Sequence, residues 1–316
     1  MVDEHPTYLY WRGERRRWED ANVHVTSLGW STIGAVFEGI RAYWNAEEEE
    51  LYVFRLREHL ERLAQSMKLV RLPLEHSTAE LTEIILDLLR ANEVRRDTYI
   101  RPLGYTANAG NKRMSQMGGE SEFLISTSDM PSHLLSGMTQ EGKVSSWTRI
   151  SDSVMPPRIK NLSNYRNGQL ATMEVRQDGY DVAFMLNPQG KVAEAPGACV
   201  VLLRNGTLIT PDVTSGILES ITRDALITLV REELGVDVVE RPVDRTELYL
   251  ADEIFTCGTA AEITPVVSID RYQIGDGKIG PVTQRLESLF HSVLRGEEGR
   301  WAQWRTPVWA EARVFA

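Results

Sequence analysis

The sequence predicts a two-domain protein of mixed helices and strands (α+β, mixed α/β), and three observations carry that expectation. Its 316 residues exceed what one hydrophobic core usually organises. Stretches with helical periodicity alternate with short, irregularly spaced strands, without internal repeats. Periodicity then lapses from Ser128 to Ser136, around Pro131 and Ser132. A linker is therefore expected at 128–136, between a smaller α/β domain over 1–127 and a larger one over 137–316.

The elements follow in order. Tyr8–Trp11 and Arg16–Trp18 flank Gly13 as a hairpin. Ala35–Tyr43 alternates as a strand, and Leu51–Arg55 follows across the acidic run Glu47–Glu50, a solvated hairpin tip. Arg57–Leu69 places Leu60, Leu63, Ala64 and Met67 on one helical face, and Thr78–Ala91 does the same with Leu81, Ile84, Ile85 and Leu88. Thr98–Leu103 and Glu122–Thr127 read as strands. Beyond the linker come a strand at Gly142–Thr148, an irregular Pro156-Pro157 stretch, and a helix from Asn164 to Gln177. Short strands at Val182–Leu186, Val192–Glu194, Cys199–Leu203 and Thr207–Ile209 are separated by the turn signals Asn187-Pro188-Gln189-Gly190 and Arg204-Asn205-Gly206. Ile221–Leu234 is a helix with Ser220 as N-cap and Gly235 as its stop. Leu248–Ala251 opens an element, Glu253–Thr256 is a strand, and Val282–Leu294 is the final helix.

Composition excludes several classes. A net charge of -10 is wrong for a broad nucleic-acid footprint, which needs clustered cations. Cys199 and Cys257 stand far apart with no metal spacing, so neither a disulfide framework nor a metal site is expected. No apolar run has the length of a membrane span, and the first residues do not form a signal peptide. The expectation is a cytoplasmic protein with no membrane partner.

Chemistry is read from the lysines, which number six against many arginines: Lys68, Lys112, Lys143, Lys160, Lys191 and Lys278. Only lysine can form a Schiff base, because a guanidinium stays protonated. Lys68 lies on an amphipathic helix, and Lys143, Lys191 and Lys278 follow glycine or a turn, so these four read as solvated ammoniums. Lys112 sits with Arg113 in a polar loop. Lys160 differs, standing between Pro156-Pro157-Arg158-Ile159 and the start of a helix at Asn164-Tyr165.

Ser145-Ser146-Trp147, Pro156, Lys160, Asn164 and Tyr165 resemble the lysine segment of the branched-chain amino-acid aminotransferases. Those are class IV (fold type IV) pyridoxal-phosphate (PLP) enzymes with a D-amino-acid-aminotransferase-like fold. Further blocks resemble the same family in order: Phe37–Tyr43, Arg57–Leu63, Tyr99–Leu103, Ile221–Ala225, Leu248–Glu253, Gly258–Pro265 and Gly280–Thr283. Together they cover nearly the whole chain.

The resemblance implies roles. Lys160 would hold pyridoxal 5'-phosphate as an internal aldimine and shuttle the Cα proton. Glu194 would face the pyridine nitrogen and keep it protonated. Tyr165 would hydrogen-bond the phenolic oxygen. Arg62, the N–H groups of Ile221 and Thr222, and Thr259 would bind the phosphate. For Ile221 and Thr222 a helix N-terminus gives independent support, although an ordinary capped start satisfies the sequence equally. The substrate carboxylate would meet the turn Thr259-Ala260-Ala261 and Tyr99, with Arg101 beside it and Phe37, Gly39 and Arg41 lining the pocket. A small-molecule amino donor, a 2-oxo acid and a homodimer or larger homo-oligomer are the partners implied.

Three segments depart from the family. Thr32 stands where typical members have tyrosine, Ala195-Pro196-Gly197-Ala198-Cys199 replaces a Gly/Ser-rich run, and Asp129–His133 lacks the pocket aromatics of bacterial members. Lost aromatic walls widen a site and shift which side chain fits. The leading expectation is transamination between a branched-chain or hydrophobic L-amino acid and 2-oxoglutarate. An (R)-amine or D-amino-acid transaminase, an aminodeoxychorismate-type PLP lyase and a non-catalytic binding protein stay open at this point.

Overall fold

The computed structural model describes residues 5–107 and 120–310, with Gly29 and Trp30 by backbone alone; Lys112 and Arg113 therefore lie outside the described residues. The chain divides into two compact units. The first comprises Met1–Ser132, Ile159–Ser163 and Val293–Ala316, and the second comprises His133–Arg158 and Asn164–Ser292.

In the first unit β1 (Tyr8–Trp11) and β2 (Glu14–Arg17) form the expected hairpin. A short helix α1 (Leu28–Ile33) precedes β3 (Val36–Phe37), β4 (Ile40–Asn45) and β5 (Glu50–Phe54). Then come α2 (Leu56–Leu69), α3 (Thr78–Ala91), β6 (Thr98–Thr106) and β7 (Ser121–Asp129). The sheet runs from the C-terminal strand Arg305–Pro307 through β5, β4, β6, β7 and β1 to β2, with β3 also on β6. Val36, Ile40, Ala42, Val53, Ile100 and Ile125 point to one face of it. There they bury against Leu60, Leu63 and Met67 of α2 and Leu81, Ile85 and Leu88 of α3. Burial at about 25 cal/mol per Å² is what holds both helices there.

Two expectations need correction here. The strand expected over Ala35–Tyr43 is broken at Glu38-Gly39, where the Glu38 side chain turns into the interior to meet Arg62 and His59. The acidic tip is solvated only at Glu47–Glu49. Glu50 is buried and accepts the N–H groups of Leu51, Val308 and Trp309 at 2.9, 2.9 and 2.7 Å.

The second unit holds β8 (Gln140–Val144), α4 (Asn164–Gln177), β9 (Val182–Phe184), β10 (Cys199–Arg204), β11 (Thr207–Thr210) and α5 (Ile221–Leu229). After them come β12 (Val238–Glu240), α6 (Arg245–Leu248), β13 (Glu253–Gly258), β14 (Glu262–Ile269), β15 (Tyr272–Gln273) and α7 (Pro281–Arg295). Its strand order is β12-β11-β10-β13-β14-β8-β9, with β15 on β14. Val200, Leu202, Ile254 and Val266 supply its core, with Val144 and Phe184 from the neighbouring strands. β8 begins earlier and ends sooner than the expected Gly142–Thr148. Val192 makes only an isolated bridge to Leu186, not the strand expected over Val192–Glu194. Beyond Leu229 the helix widens to π-type hydrogen bonding over Val230–Leu234 and stops at Gly235, whose φ is 62°. Among the described residues no helix is long and apolar enough to cross a membrane.

Candidate active site

Lys160 lies on the short piece Ile159–Ser163 that belongs to the first unit. Its backbone is clamped. Ile159 is buried in the core of that unit, and the Lys160 carbonyl accepts the Phe37 N–H at 3.0 Å. Leu162 donates to the Ala35 carbonyl at 2.9 Å, and the Lys160 N–H reaches Ser66 Oγ on α2 at 3.3 Å. The segment thus runs beside β3 as an extra, short pairing. The half-buried Lys160 Nζ stands 4.9 Å from the centroid of the Phe37 ring, where the π face favours a cation.

Arg62 sits one helical turn before Ser66. Its Nε and Nη2 each donate to the Glu38 carboxylate at 2.8 Å, a fork held from behind. Glu38 Oε2 also lies 2.8 Å from His59 Nδ1. Burial alone would raise the Glu38 pKa, but the Arg62 charge and the hydrogen bonds from Arg62 and His59 outweigh it and hold the carboxyl at about 2. Burial pulls the His59 imidazole below its ordinary value, against the opposing pull of Glu38.

The strand register gathers four further candidates. Phe37 pairs with Leu103 and Arg41 with Tyr99, and Tyr99, Arg101 and Leu103 alternate with buried neighbours along β6. Phe37, Arg41, Tyr99 and Arg101 therefore share the sheet face opposite α2 and α3. Arg41 is almost fully buried, donates to the Met130 carbonyl at 2.7 Å, and lies 4.9 Å over the Tyr43 ring. Arg101 is exposed. Gly39 is needed for its bareness: a Cβ there would stand 2.1 Å from the Tyr99 hydroxyl.

The second unit carries the other candidates. Glu194 is buried, with Oε1 2.6 Å from Arg149 Nη2 and Oε2 accepting the Leu218 N–H at 3.1 Å. Three residues beyond Leu218, α5 begins with Ile221 and Thr222, both buried; the Ser220 side chain caps it by accepting the Arg223 N–H at 3.2 Å. Buried Arg223 fixes the helix to its sheet through Thr210 Oγ1, the Pro211 carbonyl and Glu240. Thr259, Ala260 and Ala261 form the turn between β13 and β14, where the Ala261 carbonyl accepts from Thr264 Oγ1 at 2.7 Å. Tyr165, half-buried, is the second residue of α4.

The other described lysines behave as solvated or surface-paired cations. Lys68 and Lys278 are exposed, Lys143 pairs with Asp178, and Lys191 Nζ lies 2.5 Å from Asp244. Of the departing segments, Thr32 is exposed on α1 and hydrogen-bonds back to Leu28. The Ala195–Cys199 run makes a tight Ala195–Ala198 bridge, and Pro196 rests on α4 at Gly168, where a Cβ would meet it at 2.8 Å. Sequence reasoning missed Arg149, Glu38, His59 and Ser66 as partners of the candidate residues. His59 and Arg62 were one turn apart on a predicted helix, which is a usable signal. Arg149 lay in an aperiodic loop and gave none.

The model for amino-transferase class IV matches residues 35–269. The chain is 41% identical over 302 residues to a probable branched-chain-amino-acid aminotransferase of Aquifex aeolicus, covering 96% of this chain and 97% of that one. It is 39% identical over 305 residues to the branched-chain-amino-acid aminotransferase of Escherichia coli K12, covering 95% and 97%. The crystal structure of a branched-chain amino acid aminotransferase from Thermobaculum terrenum, in its PLP form, superposes with a TM-score of 0.94 at 51% identity, over 96% of this chain and 99% of that one. With a family match across most of its length, the chain belongs to the amino-transferase class IV family.

Proposed function

We propose that the protein is a PLP-dependent aminotransferase exchanging the amino group between a branched-chain or other hydrophobic L-amino acid and 2-oxoglutarate. The observation that carries this reading is the buried Glu194 carboxylate, oriented by the Arg149 guanidinium at 2.6 Å and the Leu218 amide at 3.1 Å. Such a group suits a protonated pyridine nitrogen, and the capped start of α5 suits a phosphate. These residues fit the cofactor. When bound, PLP supplies an aldehyde for the amino group and a ring that withdraws electrons from the breaking Cα–H bond.

Lys160 would carry that aldehyde and move the Cα proton, its reach set by the clamped backbone on Phe37 and Ser66. Glu194 would hold the proton on the ring nitrogen, and Tyr165 would donate to the phenolic oxygen. Arg62, the Ile221 and Thr222 amides and Thr259 would neutralise the phosphate. Arg62 is oriented for this because Glu38 already occupies two of its donors. Phe37, Gly39, Arg41, Tyr99, Arg101, Ala260 and Ala261 would receive the amino acid, the guanidinium groups favouring a substrate that carries a carboxylate. The names of the relatives support the branched-chain choice. The same proposal includes a cytoplasmic setting and a homodimer or larger assembly, which light scattering tests.

Two measurements test the reading. Purified holoenzyme is expected to turn over L-leucine with 2-oxoglutarate far faster than D-alanine or (R)-1-phenylethylamine; a preference for either of the latter overturns the substrate assignment. Lys160→Ala is expected to abolish both turnover and borohydride labelling, and a variant with near-normal turnover would end the assignment of Lys160.

A further inference from the structure

The Glu194 carboxyl group is almost without solvent: its side chain and that of Arg149 are only 5% and 9% exposed. A buried carboxylate that loses its cation takes up a proton instead, because desolvation penalises the charged form. Arg149 is itself held from several sides. Its N–H donates to the Leu186 carbonyl at 2.8 Å, and its Nε meets the Gly216 carbonyl at 3.4 Å. Gly216 has a φ of 89° and follows Ser215, whose carbonyl accepts from the Asn187 side chain at 3.2 Å. The strap Ser215–Leu218, which leads into α5, is thus gripped by Asn187, Arg149 and Glu194 in turn.

We propose that Arg149 is a positioning residue that acts through Glu194: it fixes the orientation and the negative charge of that carboxylate, so that a cofactor's ring nitrogen, and not Glu194, keeps the shared proton. The inference rests on the reading of Glu194 as the partner of that nitrogen. Arg149 itself need touch neither cofactor nor substrate. A charge alone does not fill the role, because the guanidinium spans the carboxylate and the Gly216 carbonyl together, a geometry that an ammonium does not reproduce.

The test uses apoprotein reconstituted with PLP carrying an isotope label in the ring nitrogen, whose NMR resonance reports protonation directly. Arg149→Met is expected to move the resonance toward the unprotonated position and to lower kcat by about tenfold or more, with little change in KM for the amino acid. Arg149→Lys is expected to fall between wild type and Arg149→Met, and it carries the test if the methionine variant does not fold. In the pair Arg149→Met with Glu194→Gln, kcat is expected to equal that of Glu194→Gln alone, since Arg149 then has nothing to act through. A merely structural arginine would lower thermal stability and PLP affinity while leaving the resonance in place, and that result overturns the inference. If Glu194→Gln shifts the resonance and Arg149→Met does not, the inference fails and the reading of Glu194 stands. If Glu194→Gln leaves it unmoved, both fail.

Discussion

A carboxylate cut off from water stays charged only where charges or hydrogen-bond donors replace the solvent, and Glu38 meets that condition through the Arg62 guanidinium and the hydrogen bond from His59. The consequence is a stability that depends on acid. The Glu38 carboxyl is held at about 2 in the fold, against an ordinary glutamate value of 4.5, so the unfolded chain binds the proton first as pH falls. Its stabilisation, on the order of 3 kcal/mol, is complete above the unfolded pKa and is lost as pH drops through the window down to 2. His59 acts in the same direction at higher pH. Its folded pKa is depressed, so the unfolded state gains a proton below the ordinary imidazole value and stability begins to fall there. Urea midpoints followed from neutral to acid pH are expected to show both limbs, and Glu38→Gln to shrink the lower one, which Glu247 and Asp97 share; an unchanged lower limb would show that Glu38 does not contribute to it. Gly39 gives a second prediction. Gly39→Ala sets a methyl against the Tyr99 hydroxyl, so the ring must turn, and kcat/KM for L-leucine is expected to drop on the order of tenfold or more. Little of this was legible beforehand. Lys160 stood out by its irregular surroundings, whereas a salt bridge such as Arg149 with Glu194 joins residues far apart in sequence and leaves no periodic trace.

Helices were the most legible elements, because their apolar faces repeat at a spacing that the order of residues reveals. The bounds of α3 and α4 came out as expected at Thr78–Ala91 and Asn164–Gln177. Strands were less so. β3 and β4 read as one strand since the break at Glu38 is made by tertiary partners, and β12, only three residues long, was not foreseen. The helix ends carry predictions of their own. Ser220→Ala removes the side-chain acceptor of the Arg223 N–H and is expected to cost about 1 kcal/mol, read as a lower Tm. α7 is capped from elsewhere: the buried Glu253 carboxylate accepts the Val282 and Thr283 N–H groups at 3.0 and 2.8 Å and the Thr283 hydroxyl at 2.7 Å. Glu253→Ala leaves those donors buried without their acceptor and is expected to cost about 2 kcal/mol or more. A loss no larger than that of a surface substitution would show the cap to be dispensable.

At the scale of the molecule, the fold class followed from the alternation of helices and short strands, while the assignment of Ile159–Ser163 and of the C-terminal segment to the first unit did not. Nothing in local pattern tells a strand which distant strand it joins. Arg305–Pro307 pairs with β5, and Val308 and Trp309 donate to Glu50, some 250 residues earlier in the chain. Deleting the chain from Arg305 onward is therefore expected to raise hydrogen exchange throughout β4 and β5 while β10 and β13 keep their protection. Uniform loss of protection in both sheets would contradict the independence of the two cores.

The interleaving of the chain has a consequence for synthesis. A ribosome completes His133–Ser292, apart from the short Lys160 segment, before it has made the strand that finishes the earlier sheet. The part of the protein translated first must accordingly wait, with the β5 edge open, until the last residues emerge. Chains truncated after Arg295 and released from the ribosome should resist protease across the later-made sheet and be cut within the earlier one.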